Sequence, residues 1–92
     1  MKVNHYFDDQ VLSVSFDNSN GSSSVGVMET GNYDFSTSHN ERIVVISGAL
    51  VVQRQDDPEP QLYSDGDEFH IPSGQNFNVE VTEPTAYLCE YS

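Results

Sequence analysis

The chain has 92 residues, fifteen of them Asp or Glu and only three Lys or Arg, for a formal charge of -12. That length can bury one modest core, and an apolar share of 36% with five Tyr and five Phe suits a folded chain rather than a disordered one. With Lys2, Arg42 and Arg54 as the only bases, it repels phosphodiester backbones, which excludes nucleic acid as a partner.

The first ten residues, MKVNHYFDDQ, lack the apolar stretch of a signal peptide. No later run approaches the roughly 20 apolar residues of a membrane helix. The single cysteine, Cys89, has no internal disulfide partner, a usage that fits a reduced compartment. The expectation is a cytoplasmic chain without membrane contact.

Short β-rich runs follow in order: VLSVSF (Val11 to Phe16), SVGVM (Ser24 to Met28), YDFST (Tyr33 to Thr37), RIVVIS (Arg42 to Ser47) and ALVVQRQ (Ala49 to Gln55). DEFHI (Asp67 to Ile71), FNVEV (Phe77 to Val81) and TAYLCEY (Thr85 to Tyr91) complete the set. Turn signals separate them: Asn20-Gly21, Gly31-Asn32, Ser47-Gly48, Pro58-Glu59-Pro60, Asp65-Gly66, Pro72-Ser73-Gly74 and Glu83-Pro84. Such spacing predicts an all-β sandwich or barrel. No segment sustains a 3.6-residue period, so very little helix is expected. Residues 1–92 show no linker and no repeat, and read as a single domain.

Alternation assigns faces. Phe77, Val79 and Val81 share one side of their strand, with Asn78 and Glu80 on the other. Tyr33, Phe35 and Thr37 share a side, opposite Asp34 and Ser36. RIVVIS is apolar on both faces, as a strand covered on both sides would be. Something must cover Val44 and Ile46, and a second copy of the chain is the economical cover, which predicts a homodimer.

Two segments carry a recognisable pattern. In GDEFHIPSGQNF, Gly66, Pro72 and Gly74 have the spacing of the cupin motif in which a metal-binding His follows the second Gly by three; here that position is Phe77. In FSTSHNERIVVISG, Glu41 and Gly48 resemble the other cupin motif, while Phe35 and Thr37 occupy its two His positions. The chain therefore resembles a cupin, which implies an RmlC-like jelly-roll barrel with Phe35, Thr37, Glu41 and Phe77 facing its interior. One carboxylate beside two phenylalanines does not hold a transition metal. His5, His39 and His70 lack ligand spacing and read as surface or hydrogen-bonded side chains. Phe35 and Phe77 either wall an apolar pocket for a planar ligand or fill the barrel core. A carboxylate pointing inward costs several kcal/mol unless paired, protonated or solvated, which makes Glu41 the functional candidate.

SVGVM, YDFST, VISGAL (Val45 to Leu50) and EPTAYLCEY (Glu83 to Tyr91) together resemble the small pyrimidine/purine nucleoside phosphorylases among bacterial cupins, over nearly the whole chain. The resemblance implies a homodimer without metal or organic cofactor. It implies a pentosyltransferase of broad specificity that uses inorganic phosphate to split purine and pyrimidine nucleosides into free base and α-D-ribose 1-phosphate. Within that reading, Glu41 holds the ribose hydroxyls or protonates the departing base. Phe77, Phe35 or Tyr33 stacks on the base, and Thr37 adds a polar contact. A phosphate cradle is harder to find. Alternation turns Arg42 away from Glu41, and Arg54 sits beside the acidic DDPEP loop. Ser36, Thr37 or the Gly21-Ser22-Ser23-Ser24 loop, with Ser23 at its centre, remain as hydroxyl and backbone N–H donors. The alternative is a non-catalytic cupin that binds a small planar ligand as a sensor or carrier.

Overall fold

A computed structural model describes all 92 residues. Its ten strands are β1 (Lys2–Tyr6), β2 (Val11–Asn18), β3 (Gly21–Met28), β4 (Gly31–Ser36), β5 (Glu41–Ser47), β6 (Ala49–Arg54), β7 (Gln61–Ser64), β8 (Glu68–Ile71), β9 (Asn76–Val81) and β10 (Thr85–Tyr91). There is no helix. Six strands form one sheet in the order β1-β2-β3-β10-β5-β8, and four form a second in the order β4-β9-β6-β7. Every pairing is antiparallel.

The sheets close on one another because each has a single strongly apolar face. In β9, Phe77, Val79 and Val81 are buried while Glu80 is exposed. In β8, Phe69 and Ile71 point in and His70 points out. Fourteen buried side chains from both sheets make one core, among them Val11, Ile43, Val45, Leu50, Val52 and Val79. The motif glycines serve turns: Gly66 and Gly74 have φ of 85° and 80°, a region that side chains with a Cβ rarely adopt. Gly66 N and Val45 O bond at 2.8 Å, and Val45 N and Asp67 O at 2.9 Å, so the turn before β8 is stitched to the middle of β5.

All eight strands expected from the sequence are present, with ends shifted by at most three residues. Two further strands, β1 and β7, have no apolar alternation. Both are sheet edges, where one neighbour's ladder supplies the hydrogen bonds and little side-chain burial is required. The outer face of β5 is half-buried at Val44 and 50% exposed at Ile46, so this chain itself does not cover it.

Candidate functional site

Between the two sheets lies a cavity of about 140 Å³. One wall comes from the four-stranded sheet: Phe35 on β4, Phe77 and Val79 on β9, and Leu50 on β6. Phe35 and Phe77 are cross-strand partners whose rings stack with centroids 5.5 Å apart and planes 27° apart. The other wall comes from the six-stranded sheet and carries every polar side chain of the lining except Ser36: Tyr6, Ser13, Glu41, Tyr87, Cys89 and Tyr91. Phe7, at the start of the β1–β2 loop, extends the aromatic wall outward, 5.5 Å from Phe35 and 5.0 Å from Tyr33.

Glu41 is the first residue of β5 and pairs with Tyr91 of β10 on one side and Ile71 of β8 on the other. This places its carboxyl against the inner face of β10, where Cys89 Sγ donates to Oε1 at 3.4 Å. Burial raises the Glu41 pKa from its ordinary 4.5, against smaller lowering effects from the Cys89 hydrogen bond and the nearby His39. The group therefore holds its proton to higher pH than a surface glutamate.

Tyr87, Cys89 and Tyr91 on the polar wall are neutral and hydrogen-bonded. Tyr91 OH meets Ser24 Oγ at 2.9 Å and also reaches the Cys89 thiol. Burial pushes Tyr87 up to about 12 and raises both Cys89 and Tyr91. All three stay protonated near neutral pH. Tyr87 lies across β3 toward Ser13 because Gly26 leaves the space: a Cβ there would sit 2.6 Å from the Tyr87 hydroxyl. No buried side-chain N or O is left without a hydrogen-bond partner.

Of the residues expected from the sequence, Glu41, Phe35, Phe77 and Ser36 come together at the cavity. Tyr33 and Thr37 lie outside its lining. Tyr33 is buried with its hydroxyl donating to Glu29 O at 2.7 Å. Thr37 is a clamp, its Oγ1 donating to Pro72 O at 2.7 Å and accepting from Gln75 N at 3.0 Å, which ties the end of β4 to the turn before β9. Ser36 Oγ donates to Asn76 Oδ1 at 2.6 Å. Ser23 is buried on β3 between its partners Phe16 and Glu90. Arg42 pairs with Glu68 and Glu90 on the outer face. Arg54 is held by Asp57 at 2.9 Å and donates to the Tyr63 hydroxyl at 2.7 Å. Sequence reasoning missed Ser13, Tyr87, Cys89 and Tyr91. The signal was available in TAYLCEY, whose alternation puts Thr85, Tyr87, Cys89 and Tyr91 on one face.

The space matches one ring. An apolar cavity of about 150 Å³ accommodates benzene, so this one has room for one six-membered ring between the Phe35–Phe77 wall and Glu41. No group of three or more His, Cys, Asp or Glu side chains is arranged to hold a metal ion.

Fold and site define a small cupin barrel with a one-ring slot bordered by a half-buried carboxyl. The family profile described as pyrimidine/purine nucleoside phosphorylase matches residues 1–91, and the chain belongs to that family. A protein of that name from Aeromonas salmonicida is 45% identical over 91 residues, which is 99% of this chain and 97% of the relative. Another of that name from Rhodopirellula baltica is 46% identical over 92 residues, covering 100% of both chains. Among solved structures, a Vibrio parahaemolyticus protein of unknown function superposes with a TM-score of 0.95 at 42% identity, over 99% of this chain and 97% of the other. The EutQ protein of Clostridium difficile, at 17% identity and a TM-score of 0.71 over 86% of this chain and 59% of its own, shares the cupin-like fold.

Proposed function

We propose that residues 1–92 form one catalytic barrel that splits purine and pyrimidine nucleosides with inorganic phosphate, as a pentosyltransferase of broad specificity that needs no metal. The observation that carries this reading is the Glu41 carboxyl, raised in pKa by burial and facing a stacked Phe35–Phe77 wall across a space one ring wide. One ring of the base enters the slot and stacks on the phenylalanines. A phosphate oxygen bonds to the ribose C1′ as the C1′–N bond breaks through an oxocarbenium-like state. The bonding pair leaves with the base nitrogen, and Glu41 delivers a proton to the departing base. Solvent returns the proton once α-D-ribose 1-phosphate and free base have left. The aromatic wall contacts a π face that all bases possess, which supports broad specificity.

The working unit in this reading is a cytoplasmic homodimer. The free thiol of Cys89 supports the compartment. The outer face of the six-stranded sheet supports the dimer: Val3, Val14, Val25, Leu88 and Val44 are cross-strand partners in one apolar row over five strands. Flanking it, Leu12, Val27 and Ile46 are 39%, 47% and 50% exposed, a contiguous patch of the kind that marks an association surface.

The test is base release from uridine and inosine with and without phosphate, before and after chelator treatment. Release that requires phosphate and survives the chelator is expected. Rates equal to buffer for several nucleosides at saturating phosphate would sink the reading, and binding without turnover would leave a planar-ligand sensor or carrier.

A further inference from the structure

The slot holds one ring and neither basic nor backbone donors aimed at an anion, so the phosphate of the proposed reaction needs a place of its own. We propose that it binds on the inner face of β1–β3, in a cleft that adjoins the slot through Tyr91 and is closed by Lys2, Ser15, Ser22 and His39. This rests on the phosphorolysis reading above and deepens it.

The cleft is real space: about 520 Å³, with Tyr91 common to its lining and to that of the slot. It exists because the six-stranded sheet is two strands wider than the four-stranded one, which leaves part of its inner face without an opposite wall. Register puts the chemistry there. Lys2, Ser15, Ser24 and Cys89 are successive cross-strand partners on that inner face. The same side carries Asn4, whose Nδ2 donates to Ser13 Oγ at 3.2 Å and Ser15 Oγ at 2.7 Å. Three strand spacings, about 14 Å, separate the Lys2 and Cys89 backbones. A lysine side chain and a tetrahedral anion together bridge most of that gap.

Charge singles out the same place. The molecule has three Lys and Arg side chains against fifteen carboxylates. Arg42 is held by Glu68 and Glu90, and Arg54 by Asp57. Of the three, Lys2 alone is in no ion pair, and it lies in the cleft next to the slot. Hydroxyls of Ser15 and Ser22 and the imidazole of His39 line the same cleft, the His39 ring 6.3 Å from the Tyr91 ring. The last residue, Ser92, also lines the cleft, and one carboxylate side chain, that of Asp17, shares it and accepts from Ser22 Oγ. It opposes the anion and sets a high phosphate requirement.

Lys2 and Asp17 therefore act on phosphate with opposite signs, which ordinary damage to the fold does not imitate. Initial rates are measured against phosphate concentration for wild type, Lys2→Met and Asp17→Asn, with binding of inorganic phosphate alone followed by ³¹P line broadening. Loss of a charged hydrogen-bond partner is expected to raise the phosphate KM about tenfold in Lys2→Met, with the nucleoside KM unchanged. Asp17→Asn is expected to lower the phosphate KM about threefold. Turnover with an unchanged phosphate KM in both variants overturns the cleft and leaves the phosphorylase reading standing. If the wild type turns over no nucleoside, that reading fails and the ³¹P arm alone decides: broadening lost in Lys2→Met supports an anion site in the cleft. Broadening equal in wild type and Lys2→Met, or absent from both, overturns it.

Discussion

The inner faces of β4–β9–β6 and of β3–β10–β5 look at each other across one cavity, yet one is aromatic and the other is a chain of hydroxyls, a thiol and a carboxyl. The aromatic wall follows from simple alternation. Asp34 and Glu80 take the solvent side of their strands, so the inward positions are left to Phe35, Phe77 and Val79. The polar wall is possible because its inward groups meet in pairs: Tyr91 with Ser24, Cys89 with Glu41, Tyr87 with Ser13. Satisfied pairs make burial affordable in a low-dielectric interior. In the proposed reaction, a wall of π faces grips any base, whereas a wall holding a protonatable carboxyl treats the bond to the base as chemistry. On that reading, breadth and catalysis lie on opposite sides of one slot.

The division is broken most severely at Glu41. Glu41→Gln keeps the volume and removes the proton, and kcat is expected to fall by about 10²–10⁴-fold, the range of a lost general acid. The KM for nucleoside should move little, because stacking stays intact. Initial rates at saturating phosphate check this, and an unchanged kcat would assign the acid elsewhere on the polar wall.

A second break lies beneath Tyr87. In Gly26→Ala the new Cβ would stand 2.6 Å from both the Leu12 carbonyl oxygen and the Tyr87 hydroxyl. The carbonyl belongs to the β2–β3 ladder and cannot retreat far, so Tyr87 must swing into the slot. Overpacking of this kind costs about 1–3 kcal/mol, several degrees of Tm in a domain of this size. The melt and the nucleoside KM should worsen together. A variant that melts normally would show that the ring has another resting place.

The aromatic wall answers more gently. Phe35→Leu keeps an apolar side chain of similar reach and deletes the stack on Phe77. Aromatic pairs contribute about 0.5–1.5 kcal/mol beyond their area, so the nucleoside KM is expected to rise a few-fold for purines and pyrimidines alike, with kcat preserved. A change confined to one class of base would mean that this wall reads identity after all.

How far such a site is visible in a sequence depends on which residues announce themselves. Strands with one buried face declare it by alternation, and β9 and β8 were legible for that reason. Motif spacing around Gly66, Pro72, Gly74 and Glu41 placed the aromatic wall and the carboxyl. Edge strands β1 and β7 escaped because pairing to one neighbour demands no apolar pattern. The β1–β2 turn escaped because Phe7, Asp8 and Asp9 all adopt positive φ without a glycine or proline to signal it. Thr37 shares its strand face with Phe35, but the turn it clamps lies some 35 residues away, at Pro72. In the sequence Lys2 is only one of three bases, since its neighbourhood with Ser15 and Tyr91 is a product of strand register between distant segments.

The smallest effect is thermodynamic, and it separates a protonated Glu41 from a charged one without any assay of turnover. Burial raises its folded pKa above the 4.5 of an exposed glutamate, so between those two values the folded chain keeps a proton that the unfolded chain has released. Stability from this group is then fully present below 4.5 and declines as pH climbs to the folded pKa, above which it is constant. Glutamine cannot ionise and escapes the decline. The Tm of Glu41→Gln relative to wild type should therefore rise with pH across that window, by no more than a few degrees, and then level off. Titration of the other carboxylates is common to both proteins and cancels in the difference. A relative Tm that instead falls as pH rises would mean a carboxylate stabilised in its charged form. Glu41 would then be a partner for the ribose hydroxyls rather than the donor to the base, and the polar wall would need its acid from another group.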